Sequence, residues 1–118
     1  MAQYLPIHRP GDTVTFDVTT AVTGGTPVEV GTADRSVAPA AAASAKYVGV
    51  AGHDAAVGDK VTVEVAKVIH ELKAVGAVTR GTRLEIAAGG VRTLASGTAV
   101  GVALTSAADG APVQVLQV

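Results

Sequence analysis

The sequence contains no cysteine and no tryptophan, and aromatic residues make up only 3% of its 118 residues. Without cysteine there are no disulfides, no thiolate nucleophiles and no cysteine-based zinc sites. The shortage of aromatics leaves the core to Val, Ala, Leu and Ile, and it weighs against a carbohydrate site, which usually presents aromatic platforms. Because alanine buries little apolar area, we expect a modestly stable monomer with part of its apolar surface covered by a partner.

The sequence also lacks an excess of charge of either sign, and it has no long apolar run. The chain has 9 Lys and Arg against 10 Asp and Glu, a net charge of −1, with no basic block. We therefore expect no nucleic-acid partner. No apolar run approaches the roughly 18 residues of a membrane span, and the first ten residues lack a signal-peptide core, so we expect neither membrane insertion nor secretory export.

What the sequence does contain is alternation with a period of two, which is typical of β-strands. Val61, Val63 and Val65 alternate with polar residues, after a Val-Gly-Val-Ala unit at residues 48–51. The whole stretch, residues 48–65, returns at residues 100–117 with an offset of 52. Nine positions are identical without a gap, which predicts a repeated structural unit.

Glycine precedes several of these alternating segments. Residues 11–18 match residues 58–65, with the same Gly-Asp start, and residues 81–86 form a looser copy. A glycine there supplies the positive φ that a tight turn before a strand often needs. These patterns, opening at Gly11, Gly58, Gly81 and Gly110, predict an all-β fold, a small barrel or sandwich of short strands.

The remaining segments fit the same fold class. Residues 27–30 predict a short strand with proline first, and Gly89-Gly90 predicts a hairpin. A parity change at Ala66-Lys67 indicates a bulge or a bend into a new strand. Residues 37–45, rich in alanine, predict either one or two helical turns or a compact loop, so we expect at most one short helix.

We divide the chain into an extended arm, residues 1–10, and a single β-rich domain, residues 11–118. The prolines Pro6 and Pro10 bias the arm towards extended geometry. Two interpretations stay open, a frayed terminus or a segment that docks on a partner. The apolar residues of the arm favour docking. A second candidate contact is the close-packing alanine segment, which would serve self-association through Ala40, Ala41, Ala42 and Ala43.

No constellation of residues predicts catalysis, a cofactor or a metal. Residues 52–60 miss the spacing of a phosphate loop, and an aspartate stands before the lysine. His8, His53 and His70 lack metal-ligand spacing and are expected at the surface. The four serines lie outside any nucleophile pattern. We therefore expect no enzyme and no cofactor.

The order of these patterns resembles the small capsid decoration proteins of tailed bacteriophages, also called cement or head-stabilising proteins. The resemblance covers roughly residues 10–118. The residues that carry it are Pro10-Gly11-Asp12, Val48-Gly49-Val50-Ala51, Ala55-Ala56-Val57-Gly58, Lys73-Ala74-Val75-Gly76-Ala77-Val78, Gly89-Gly90-Val91 and Val100-Gly101-Val102-Ala103.

The resemblance implies a structural virion protein, made in the host cytoplasm, that binds the outer face of the mature capsid. It implies major capsid protein as partner, a homo-oligomer with a trimer favoured, and stabilisation by bridging neighbouring capsid subunits. On this reading the arm faces the capsid through Tyr4, Leu5, Ile7, His8 and Arg9. The alternative is a β-sandwich module displayed on the virion that recognises host glycans, and a small enzyme is the least favoured class.

Overall fold

The computed structural model describes residues 13–65 and 69–118, which form ten β-strands. No helix occurs in this part of the chain, and accordingly no helix there is long and apolar enough to cross a membrane. The strands are β1 (Thr13–Val18), β2 (Pro27–Val30), β3 (Ser36–Pro39), β4 (Tyr47–Ala51), β5 (Lys60–Glu64), β6 (Ile69–Lys73), β7 (Arg83–Ala87), β8 (Gly90–Thr93), β9 (Gly101–Ala103) and β10 (Pro112–Gln117).

The first five strands, which we call the first unit, close into a barrel in the order β1-β3-β2-β4-β5. Strand β1 is the closing strand, because it pairs antiparallel with β5 and parallel with β3. Full closure leaves the sheet of this unit without a free edge. The all-β barrel predicted from the alternating pattern is therefore confirmed.

The second unit, β6 to β10, repeats this arrangement. Its order β6-β10-β9-β7-β8 matches the order of the first barrel when that barrel is followed from β1 in the other direction, β1-β5-β4-β2-β3. The parallel contact between the first and third strands is reduced here to one bridge, between Ala74 and Val91. Val75 N–H adds a hydrogen bond of 2.8 Å to the Val91 carbonyl.

The two units also share their registers. Val50 pairs with Glu64 in the first unit, and Val102 pairs with Leu116 in the second, both at the offset of 52. At the start of each unit the offset is 56, because Thr13 pairs with Glu64 where Ile69 pairs with Leu116. The offset then shrinks to 54 and to 52, because Val28 pairs with Pro39 and Gly49 where Leu84 pairs with Thr93 and Gly101.

Each unit encloses small apolar side chains, as the composition requires. The first core consists of Val18, Val22, Val28, Val37, Ala51, Val61 and Val63. The second core is built from the equivalent positions of β6 to β10, and it also takes in Ala40 and Val50 from the first unit. The units are therefore joined by apolar packing.

The segment 37–45 forms no helical turns, and only its second part, residues 40–45, is the expected loop. Its first part is strand β3, which pairs with both β2 and β1. Val37 is fully buried, so sheet pairing and burial outweigh the helix propensity of the alanines. Ala43 has a φ of 59°, which an α-helix does not tolerate.

Several local predictions are confirmed. The hairpin at Gly89-Gly90 joins β7 to β8, and Gly89 has a φ of 76°. Gly58, Gly81 and Gly110 also have positive φ values, of 88°, 87° and 81°. A new strand does start after the parity change, at Ile69. The arm and Gly11 lie outside the described residues, and the single domain stays a prediction.

Candidate interaction surface

One carboxylate in each unit holds the loop that follows the third strand. Glu29 and Glu85 are equivalent residues of β2 and β7, at the offset of 56. Glu29 accepts a hydrogen bond of 2.9 Å from Ala41 N–H. Glu85 accepts one from Ala95 N–H, the equivalent position in the second unit. The side chain thus ties each loop to the barrel wall.

These hydrogen bonds lower the pKa of both carboxyl groups. For Glu29 the main cause is the N–H of Ala41, with help from Lys46, whose Nζ lies 3.5 Å from Oε2. For Glu85 the main cause is the N–H of Ala95, and Arg92 Nη2 lies 3.3 Å from Oε2. Glu85 is completely buried.

A polar cluster lies where the two units meet. Gln117 Oε1 is 2.8 Å from His70 Nε2 and 3.2 Å from the hydroxyl of Tyr47, which donates to it. Gln117 Nε2 donates in turn to the Val48 carbonyl at 3.4 Å. Burial raises the pKa of the Tyr47 hydroxyl, because the phenolate would lose its hydration. The cluster joins β6 and β10 to β4.

The prediction that all three histidines lie at the surface is wrong for His70. Its side chain is only 7% exposed and is satisfied by Gln117. His70 pairs with Val115 on the inner face of the second unit, which explains its burial. His53 is exposed, as expected, and His8 lies outside the described residues.

The alanine segment predicted for self-association lies at the same junction. Ala40 is buried in the second core, and Ala43 donates its N–H to the Ile86 carbonyl at 2.8 Å. Only Ala41 and Ala42 have exposed side chains. The self-association role stays a prediction, but three of its four residues are engaged within the chain, since Ala41 also donates its N–H to Glu29.

The arm residues predicted to face the capsid all lie outside the described residues. They are Tyr4, Leu5, Ile7, His8 and Arg9. Within residues 13–65 and 69–118 there is no enclosed pocket and no group of three His, Asp or Glu that could hold a metal. The candidate site is consequently a surface.

The outer wall of the second unit carries a compact group of apolar residues, three exposed and one, Val102, half-buried, here called the apolar face. Ile69, Leu116 and Val102 pair side by side across β6, β10 and β9. Leu104 continues the ladder, because its N–H donates to the Gln114 carbonyl at 2.8 Å. Ile69 is 62% exposed, Leu104 41% and Leu116 37%.

The first unit does not repeat this surface. In the same register Thr13 stands in place of Ile69, Glu64 in place of Leu116, and Gly52 in place of Leu104. Val50, the equivalent of Val102, is buried in the core that joins the units. The first unit therefore closes its barrel with polar residues, Thr13 and Glu64, at two of these outward positions.

Comparison with known proteins adds the biological context. Residues 8–117 match the family model of the phage cement protein. The chain belongs to this family. It is accordingly a capsid-associated structural protein of a bacteriophage, in agreement with the resemblance found in the sequence. No curated protein matches the sequence.

The fold of this phage cement protein is also found in a solved structure. It is similar to the head fiber gp8.5 N base in bacteriophage phi29, with a TM-score of 0.73 and 19% sequence identity. The match covers 91% of this chain and 93% of that one. At this identity the likeness establishes a shared two-unit fold and carries no residue-level role.

Sequence reasoning missed three features of the phage cement protein: the buried Glu85, the buried His70 and the apolar face. Alignment of the two units could have found them, with an offset of 56 for β1 and β2 and an offset of 52 for β4 and β5. That alignment places Glu85 on Glu29 and His70 on the core residue Val14. It also sets Ile69 against Thr13, which marks the difference between the two outer walls.

Proposed function

We propose that this phage cement protein binds the outer surface of the mature capsid as a homo-oligomer, a trimer, and stabilises it by bridging major capsid subunits. The match to the cement family over residues 8–117 carries the proposal. The arm, with Tyr4, Leu5, Ile7, His8 and Arg9, provides the capsid contact in this proposal. No catalytic step or cofactor is part of it.

The stabilisation follows from binding linkage. A protein that binds the expanded shell but not the immature one shifts the equilibrium towards the expanded state, by an amount that grows with its concentration over Kd. Contact with two or three subunits at once allows modest interfaces to hold firmly, because each later contact forms at high effective concentration.

The test is co-sedimentation of the purified protein with mature capsids that have been stripped of their small outer protein. We expect saturation at a fixed simple ratio to major capsid subunits, and capsids that resist heat better once loaded. Immature capsids are the control and should bind little. If the folded protein fails to bind mature capsids, the proposal is wrong, and a glycan array then tests the displayed binding module.

A further inference from the structure

We propose that the apolar face of the second unit, Ile69, Val102, Leu104 and Leu116, is the surface through which copies of this chain associate. The inference deepens the proposed function and rests on its homo-oligomer. It assigns that contact to residues on β6, β9 and β10 and the residue just beyond β9.

The first argument is the contrast within the chain. Two units with the same strand order and registers differ at equivalent outward positions, Thr13 against Ile69 and Glu64 against Leu116. The polar versions are compatible with the closed barrel of the first unit. Three contiguous, exposed large apolar side chains on one wall therefore point to a surface that is covered in use.

The second argument is charge complementarity between the two sides of the apolar face. On the β7 side Arg83 pairs with Val102 and is exposed. Among the residues that the structure describes, the nearest charge on the β6 side is Glu71, two residues beyond Ile69 and also exposed. Lys73, the next charge on β6, lies one row farther away, opposite Pro112.

Because opposite charges flank the apolar face on its two sides, the partner that fits it is a second copy of the chain. In a closed ring of copies whose apolar faces meet at the axis, the β6 side of one copy adjoins the β7 side of the next. Glu71 of one copy then lies near Arg83 of its neighbour, and the pair sits at the polar rim of an apolar centre. The same surface is thus complementary to itself.

The experiment measures the mass of the full chain by sedimentation equilibrium over a range of concentrations, with no capsid present. We expect a multiple of the chain mass. Leu116→Glu introduces the residue that the first unit carries at this position, so folding should survive while a charge enters the apolar centre. Self-association should weaken by about 30-fold or more. Ile69→Thr, designed in the same way, should weaken it less.

The matched control is Val57→Asp. Val57 is 64% exposed, more than any residue of the apolar face, but it lies in a turn of the first unit. Its equivalent in the second unit, at the offset of 52, is Asp109. The control therefore removes an exposed apolar side chain by a change that the fold already accepts, and it should leave the oligomer unchanged.

Charge reversal tests the partner directly. Arg83→Glu and Glu71→Arg should each weaken self-association, because each variant places like charges at both sides of its own apolar face. Mixing the two variants should restore association in part, since every contact between unlike copies then joins opposite charges. In a trimer one contact between like copies remains, so the rescue stays below the wild-type level.

Three outcomes would overturn the inference. One is a monomeric wild-type chain, and another is a set of face variants that associate as the wild type does. The third is a set of face variants that keep the oligomer but lose capsid binding, since the face would then contact the capsid. Failure of an intact oligomer to bind capsids contradicts the proposed function instead.

Discussion

Glu29 and Glu85 play the same structural role in two units whose surfaces have otherwise diverged. Each carboxylate projects from a strand of its unit and accepts a hydrogen bond from a loop N–H, and each has a cation nearby, Lys46 or Arg92. Burial of a carboxylate is unfavourable unless hydrogen bonds and charge compensate, and here both do. A lowered pKa is the expected result, and it links folding to pH.

The resulting prediction concerns acid stability. Because both folded pKa values lie below the ordinary 4.5, the two carboxylates stabilise the fold fully above that pH. The contribution is lost as the pH falls through the folded pKa values. Glu85→Gln should lower stability at pH 7, and its deficit relative to wild type should shrink towards pH 3. Urea unfolding at the two pH values measures this.

Asp34→Asn is the control for that measurement, because Asp34 is an exposed carboxylate in the loop before β3. Its stability change should stay below about 0.5 kcal/mol at either pH. A Glu85→Gln deficit that is equally large at pH 3 and pH 7 would mean that the amide disturbs packing and that the carboxylate charge contributes nothing.

At the scale of elements, the antiparallel pairs β4–β5 and β9–β10 depend on glycine where two backbones approach closely. A Cβ at Gly49 would lie 2.1 Å from the Glu64 carbonyl oxygen, so the strands would have to move apart. A side chain at Gly58 would meet nothing within 4 Å, but the residue has a φ of 88°. These two glycines are required for different physical reasons.

Alanine substitution separates the two reasons. Gly58→Ala adds only backbone strain and should cost about 1–2 kcal/mol. Gly49→Ala forces the β4–β5 pair apart and should cost about 3 kcal/mol or prevent folding. The midpoints of urea unfolding provide the comparison. Equal losses for the two variants would contradict the close approach at Gly49.

The elements that sequence could predict are those whose signal is local. Alternation at residues 61–65 and the Gly89-Gly90 turn identified β5 and the β7–β8 hairpin. Strand β3 was not predicted because the alanines after Val37 favour helix locally, and this signal hid its pairing with β2 and β1. His70 escaped because its burial depends on Val115 and Gln117, which lie far along the chain.

Of the two candidate surfaces, the arm could be predicted from the sequence and the apolar face could not, because only the arm is one continuous segment. The arm was predicted as a contact from its composition, apolar residues beside two prolines, and it lies outside the described residues. The apolar face needs residues from β6, β9 and β10 to come together, and no single segment carries the pattern. Recognising the full two-unit repeat requires offsets of 56, 54 and 52, which an ungapped comparison does not detect.

At the scale of the whole molecule, two surfaces with separate tasks follow from the proposals: the arm for the capsid and the apolar face for other copies. In such an assembly each copy contributes one arm, so the oligomer binds the capsid through several weak contacts at once. An arm that adds only about 1 kcal/mol gives about fivefold in affinity, and the arms of an oligomer combine. Loss of the arm should therefore affect capsid binding far more than stability.

Deletion of residues 1–9 tests this separation. The truncated chain should keep its melting temperature and its oligomeric state, because the described barrels and the apolar face lie outside the deleted residues. Its affinity for stripped mature capsids should fall by more than the fivefold of a single arm. A variant with residues 1–9 in scrambled order serves as the control for length and composition, and it should bind as weakly as the deletion.

If the truncated chain co-sediments with capsids as tightly as the full chain, the arm makes no contact with the shell. The capsid-binding surface would then have to lie on the barrels, where the exposed residues of the first unit become the next to test.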